Sequence, residues 1–156
     1  MSDTLKIGDQ APDFTLTTDT KGDISLSDFK GKKLVLFFYP KDNTPGCTTE
    51  ACEFSESLDA FKLENCEIVG ISADSIKKHE NFRNKHQLTV TLGSDENHDV
   101  LNAYGVWKMK KNYGKEYMGI VRSTFLISED GQIIDCWTKV RVKDHVNNVL
   151  IKLKSL

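Results

Sequence analysis

Lys33-Leu34-Val35-Leu36-Phe37-Phe38-Tyr39 is apolar almost throughout and does not alternate. That pattern predicts a central strand covered on both faces, as in a parallel sheet flanked by helices. Glu67 to Ser72 predicts a second buried strand, and Val90 with Leu92 a further short one. Upstream, Ala11 to Thr17 alternates polar and apolar positions after a proline, which suits an edge strand. Ile24 to Leu26 returns as a short partner beyond the turn residues Asp19 to Asp23, and Ser27 to Gly31 reads as one helical turn.

Helical spacing takes over between the strands. Ala51, Phe54, Leu58 and Phe61 recur on one face and predict a single amphipathic helix, which Cys66 closes. Cys47, four residues before Ala51, extends the inward stripe, whereas Cys52 lies about 100° round from Ala51 on the polar flank. A helix from about Ser75 carries Ile76, His79, Phe82 and His86 along one side. A shorter one bears Val100, Leu101 and Tyr104 and stops at Gly105. Trp107 to Met118 is lysine-rich and reads as an exposed loop or hairpin arm. Glu129-Asp130-Gly131 between apolar runs signals a hairpin, and Val146, Val149, Leu150 and Leu153 a terminal amphipathic helix. Strand, helix, strand, helix, hairpin, helix predicts an α/β fold with a central mixed β-sheet flanked by helices.

Composition narrows this only modestly. The chain of 156 residues suits one domain over 1–156; 38% hydrophobic and 28% charged residues exclude a disordered chain. A formal net charge of −2 gives no pull toward nucleic acid, and no apolar run spans a membrane. Met1 to Lys6 lacks the apolar core of a signal peptide, so the expectation is a cytoplasmic protein with reduced thiols. Cys47, Cys52, Cys66 and Cys136 do not form two close pairs, so no metal site is expected. His79, His86, His98 and His145 sit among polar neighbours and read as solvated surface residues. Cys66 and Cys136 read as packed thiols, and the lysines at 108, 110, 111 and 115 as a solvated arm.

The candidate chemistry lies between Pro40 and Cys52. A loop with two prolines and a glycine joins the central strand to the helix, placing Cys47 in its first turn. There, free N–H groups and the helix dipole favour a thiolate. Gly46 lets the backbone approach a substrate, and the N–H groups of Gly46 and Cys47 can point at it. Arg122, inside the apolar run Ile120 to Ile127, would be costly to bury unless paired. A Cys-x-x-Cys spacing, usual for protein disulfide exchange, is missing.

Pro40, Thr44 and Cys47 fit the Pro-x-x-x-Thr-x-x-Cys signature of peroxiredoxins, thiol peroxidases on a thioredoxin-like fold. The string Pro45 to Cys52, with Gly8 to Phe14, Tyr104 to Trp107 and Arg122 to Phe125, resembles the bacterioferritin comigratory protein, or PrxQ, branch. The resemblance implies that Cys47 attacks hydrogen peroxide or an organic hydroperoxide and becomes a sulfenic acid. Thr44 would orient the reacting groups, Arg122 would stabilise thiolate and developing charge, and Pro40 would keep water out. It further implies that Cys52 resolves the sulfenic acid to an internal disulfide, re-reduced by thioredoxin or glutaredoxin, in a monomer without cofactor. Five residues apart in an intact helix, the Cα atoms of Cys47 and Cys52 would be roughly 8.7 Å apart, beyond the ~7 Å disulfide limit. Such a disulfide requires the helix to unwind.

Overall fold

The computed structural model describes residues 5–156. Seven strands form one mixed sheet: β1 (Thr15–Thr18), β2 (Gly22–Ser25), β3 (Lys33–Phe38), β4 (Cys66–Ser72), β5 (Thr91–Ser94), β8 (Ser123–Ile127) and β9 (Ile133–Trp137). Their order is β2-β1-β5-β4-β3-β8-β9. β3, β4 and β5 run parallel, and antiparallel strands close both sides. Between β5 and β8, β6 (Trp107–Asn112) and β7 (Lys115–Ile120) pair as a separate hairpin. The helices are α1 (Pro45–Glu56), α2 (Leu58–Leu63), α3 (Ile76–His86), α4 (Asp99–Ala103) and α5 (His145–Lys154).

The two faces of β3 explain the layering. Leu34, Leu36 and Phe38 join Phe14, Leu101, Tyr104 and Phe125 in one core. Val35, Phe37 and Tyr39 point the other way and meet Cys47, Ala51, Phe54, Phe82 and Val149 from α1, α3 and α5. Alternation of side chains across a strand thus turns one apolar run into two cores. The approach is close enough that a Cβ on Gly70 of β4 would lie 2.5 Å from the Phe37 ring.

Four expectations need correction. β1 is not at the sheet edge: it lies between β2 and β5, and β2 is the edge. The single helix through Phe61 is broken at Ser57, which leaves the helical backbone. Its neighbour Ser55 is engaged from outside: its hydroxyl accepts from the N–H of Thr89, and its carbonyl accepts the Thr89 hydroxyl. Cys66 opens β4 rather than closing a helix, and burial pushes its thiol up to about 12. The histidines are not solvated. His79 and His145 are buried, and His86 and His98 are half-buried, His86 edge-on to Phe82 and His98 stacked on Trp107.

Candidate active site

α1 starts where the sequence places its signals. Thr44 is the extended N-cap residue and Pro45 the first helical residue, where its missing N–H and fixed φ cost nothing. The Thr44 hydroxyl does not cap the helix; it donates to the Lys41 carbonyl at 2.8 Å and so tightens the loop. The helical ladder begins with the Thr48 N–H donating to the Thr44 carbonyl. The N–H groups of Gly46 and Cys47 precede that ladder and have no intrahelical acceptor. Cys47, Glu50, Ala51 and Phe54 form the buried stripe of α1. Pro40 is half-buried at the end of β3.

Register brings the arginine to this stripe. Phe38 of β3 pairs with Ser123 of β8, so Arg122 emerges beside the strand end that feeds the loop. Its Nη2 donates to Cys47 Sγ at 3.3 Å and its Nη1 to Glu50 Oε1 at 2.6 Å. Burial alone would lower the Arg122 pKa, but the charges of Glu50 and Cys47 outweigh it and the net direction is upward. The guanidinium is therefore a fixed cation facing the sulfur. Gly46 leaves it room: a Cβ there would lie 3.2 Å from Arg122 Nη2.

Glu50 is fully buried, and burial raises its carboxyl to about 7 even with Arg122 beside it. Among the described residues its Oε2 has no hydrogen-bond partner, and it lies 4.0 Å from His145 Nε2. That contact is no ion pair at neutral pH. Burial, then the Arg122 charge, lowers His145 to about 4, and its Nε2 shares a 2.8 Å hydrogen bond with the Thr124 hydroxyl. Beyond His145, a groove of about 430 Å³ runs between Trp137, Val140, Arg141 and Asn148. A second cleft of about 410 Å³, lined by Gln10, Phe29 and Gly131 among others, sits at the far end of β3, away from the sulfur.

The fold thus brings together Cys47, Gly46 and Arg122, with Thr44 and Pro40 on the adjoining loop. Cys52 stays apart: it is half-buried within the same unbroken helix, and all four cysteines are free thiols. Burial, then Glu56 and Glu53, raises the Cys52 thiol, so it is a poor nucleophile in this helix. Sequence reasoning missed Glu50 and His145. Glu50 was findable, being one helical turn from Cys47 on the inward stripe and a natural counter-ion for Arg122.

Comparison with known proteins settles the family. Residues 7–136 match the AhpC/TSA family model. The chain belongs to the AhpC/TSA family of peroxiredoxins. Peroxiredoxin Bcp of Bacillus subtilis is 52% identical over 153 residues, covering 98% of each chain. Among solved structures, a cysteine-to-serine variant of Xylella fastidiosa PrxQ superposes with a TM-score of 0.92 at 39% identity, over 97% of this chain and 96% of that one. Bacterioferritin comigratory protein of Xanthomonas campestris, described for its alkyl peroxide reduction activity, gives 0.87 at 41% identity over 91% and 90%. This peroxiredoxin is accordingly a thiol peroxidase of the Bcp/PrxQ kind on a thioredoxin-like fold. Among the described residues, no helix is long and apolar enough to cross a membrane.

Proposed function

We propose that the chain reduces hydrogen peroxide and organic hydroperoxides at Cys47 and passes the oxidation to Cys52. The observation that carries this reading is the Arg122 donor 3.3 Å from Cys47 Sγ at the start of α1. The Cys47 thiolate attacks the terminal peroxide oxygen. The O–O bond breaks, its electrons leave with the departing oxygen as water or alcohol after protonation, and sulfur is left as sulfenic acid. Charge developing on that oxygen meets the guanidinium and the N–H groups of Gly46 and Cys47, donors fixed before reaction. Thr44 orients the peroxide from the N-cap, and Pro40 limits water at the sulfur.

Resolution needs a different conformation. Cys47 and Cys52 lie within one helix, so the first turns of α1 must unwind before the Cys52 thiolate attacks the sulfenic sulfur and expels hydroxide, which takes a proton and leaves as water. The resulting disulfide returns to two thiols by exchange with a lower-potential dithiol, thioredoxin or else glutaredoxin. The reading assumes one domain acting as a monomer in the cytoplasm, with no metal or other cofactor.

Thioredoxin-coupled peroxide turnover tests it. Wild type should turn over, Cys47→Ser should be inactive, and Cys52→Ser should oxidise once and stall. Peptide mass spectrometry after one equivalent of peroxide should find a Cys47–Cys52 link. A Cys52→Ser protein that still forms an internal disulfide, or a wild type inert to peroxide with a competent reductant, overturns the assignment.

A further inference from the structure

A second cluster of buried titratable groups sits beneath the loop that launches α1. His79 of α3 is completely buried. Its Nε2 lies 3.0 Å from the Gly93 carbonyl of β5, which can only accept, so that nitrogen carries a proton. Its Nδ1 lies 2.7 Å from Asp42 Oδ2. The other oxygen of Asp42 accepts the Tyr39 hydroxyl at 2.6 Å, and the Asp42 N–H donates to Asp74 Oδ2 at 2.8 Å. Asp42 is thus held at both carboxylate oxygens and at its backbone.

The position of Asp42 gives this anchoring its consequence. Lys41 beside it offers the carbonyl that takes the Thr44 hydroxyl. Between Asp42 and Thr44 stands Asn43 in the left-handed region at φ 64°, which asparagine adopts more readily than most side chains. A second histidine of α3 also reaches the loop, His86 Nε2 lying 3.2 Å from Asn43 Oδ1. The six-residue loop Tyr39 to Thr44 is therefore pinned to α3 immediately before the helix that carries Cys47.

We propose that His79 is a positioning residue for the reaction at Cys47. Its charged ring clamps Asp42, and losing that charge lets the loop and the first turn of α1 loosen toward the unwound form. The inference rests on the Cys47–Cys52 reading above. The charged and titratable groups facing the ring are Asp42 after β3, Asp74 after β4 and the Tyr39 phenol at the end of β3; β5 presents the Gly93 carbonyl. On α3 itself, Lys78 and Glu80 are exposed. The imidazolium thus pairs with the Asp42 carboxylate and feels the charge of Asp74 behind it, and its discharge leaves Asp42 buried without that partner. Burial lowers the His79 pKa, but the Asp42 hydrogen bond and charge, the Gly93 carbonyl and Asp74 more than reverse this. The clamp therefore stays closed to a higher pH than an ordinary histidine would hold it, and opens as pH rises through the His79 pKa.

His79→Gln and Asp42→Asn test the assignment, with the oxidation of Cys47 and the later disulfide closure timed separately by rapid mixing from pH 5 to 10. Both variants should oxidise at least about tenfold more slowly at pH 7, as small misplacements of reacting groups do. Disulfide closure should be as fast as in wild type or faster. The alkaline fall in wild-type oxidation should vanish. Equal slowing of both steps, which a merely structural role predicts, or an unchanged pH profile overturns the proposal. Should a variant not fold, wild-type NMR decides: amide signals of residues 41–48 should shift together with the His79 ring as it titrates. A ring that keeps one protonation state throughout, or loop amides that stay fixed while it titrates, overturns the clamp. Failure of wild type to oxidise at Cys47 would instead refute the underlying reading and leave the NMR outcome to stand alone.

Discussion

Gly46 shows how one missing methyl group serves the site against the stability of its own helix. It occupies the second helical position, where alanine would narrow the freedom of the unfolded chain and stabilise the protein by about 0.5 kcal/mol. Its Cβ, however, would stand 3.2 Å from Arg122 Nη2, so the guanidinium must move by a few tenths of an ångström. That nitrogen is the one aimed at Cys47 Sγ. Gly46→Ala is therefore expected to melt slightly higher yet react with peroxide about tenfold more slowly, since fixed donors lose their value when misplaced. Stopped-flow oxidation beside a thermal melt checks it, and a faster or unchanged reaction would show that the arginine tolerates displacement. At this scale the sequence was half legible. Cys47, Thr44, Pro40 and Arg122 could be named from a motif. Glu50 was within reach as an acid on the inward stripe one turn from Cys47, whereas His145 could not be assigned a role from its neighbours, because its meaning comes from what faces it across the core.

The elements were more legible than the contacts between them. β3 and β4 announced themselves as apolar runs, and the hairpin at Asp130-Gly131 as turn chemistry. The break at Ser57 was hidden, because it accompanies a contact with Thr89, 34 residues away from Ser55. α1 carries the larger functional question, since the proposed reaction needs it helical for attack and unwound for resolution. Thr49 lies between the two cysteines, is exposed, and returns its hydroxyl to the Pro45 carbonyl at 3.1 Å. Alanine there would favour the helix by roughly 0.6 kcal/mol through propensity alone. Thr49→Ala should then slow disulfide closure about twofold to threefold and leave peroxide attack unchanged. Timing the two phases in one oxidation trace checks this. Closure as fast as in wild type would mean that residues 47–52 need not unwind.

Across the whole molecule, buried groups set opposing responses to pH. Glu50 has a folded pKa raised from 4.5 to about 7, so the folded state holds its proton more tightly and loses stability as pH rises between those values. His145 has a folded pKa lowered from 6.5 to about 4, so the folded state gains stability as pH rises from about 4 to 6.5. Each contribution is on the order of 3 kcal/mol, and over their shared window they largely cancel. His79, whose pKa is raised above 6.5, adds stability below that value and loses it as pH climbs through the folded pKa. Wild type should therefore show little slope from these groups between about pH 4.5 and 6.5 and a decline beyond. Glu50→Gln removes one of the opposing members while keeping the shape of the protonated acid. Its stability relative to wild type should rise from near zero at pH 4.5 to on the order of 3 kcal/mol at pH 8. Its peroxide reaction should slow, because an amide holds the Arg122 guanidinium less firmly than a carboxylate does. Denaturant unfolding of both proteins at several pH values measures the difference directly. Parallel curves would mean that Glu50 ionises in the folded protein as readily as in the unfolded chain, and that its burial between α1 and Arg122 carries no strain. A diverging pair with slowed chemistry would show a carboxylate retained at the expense of stability because it aims the arginine at the sulfur.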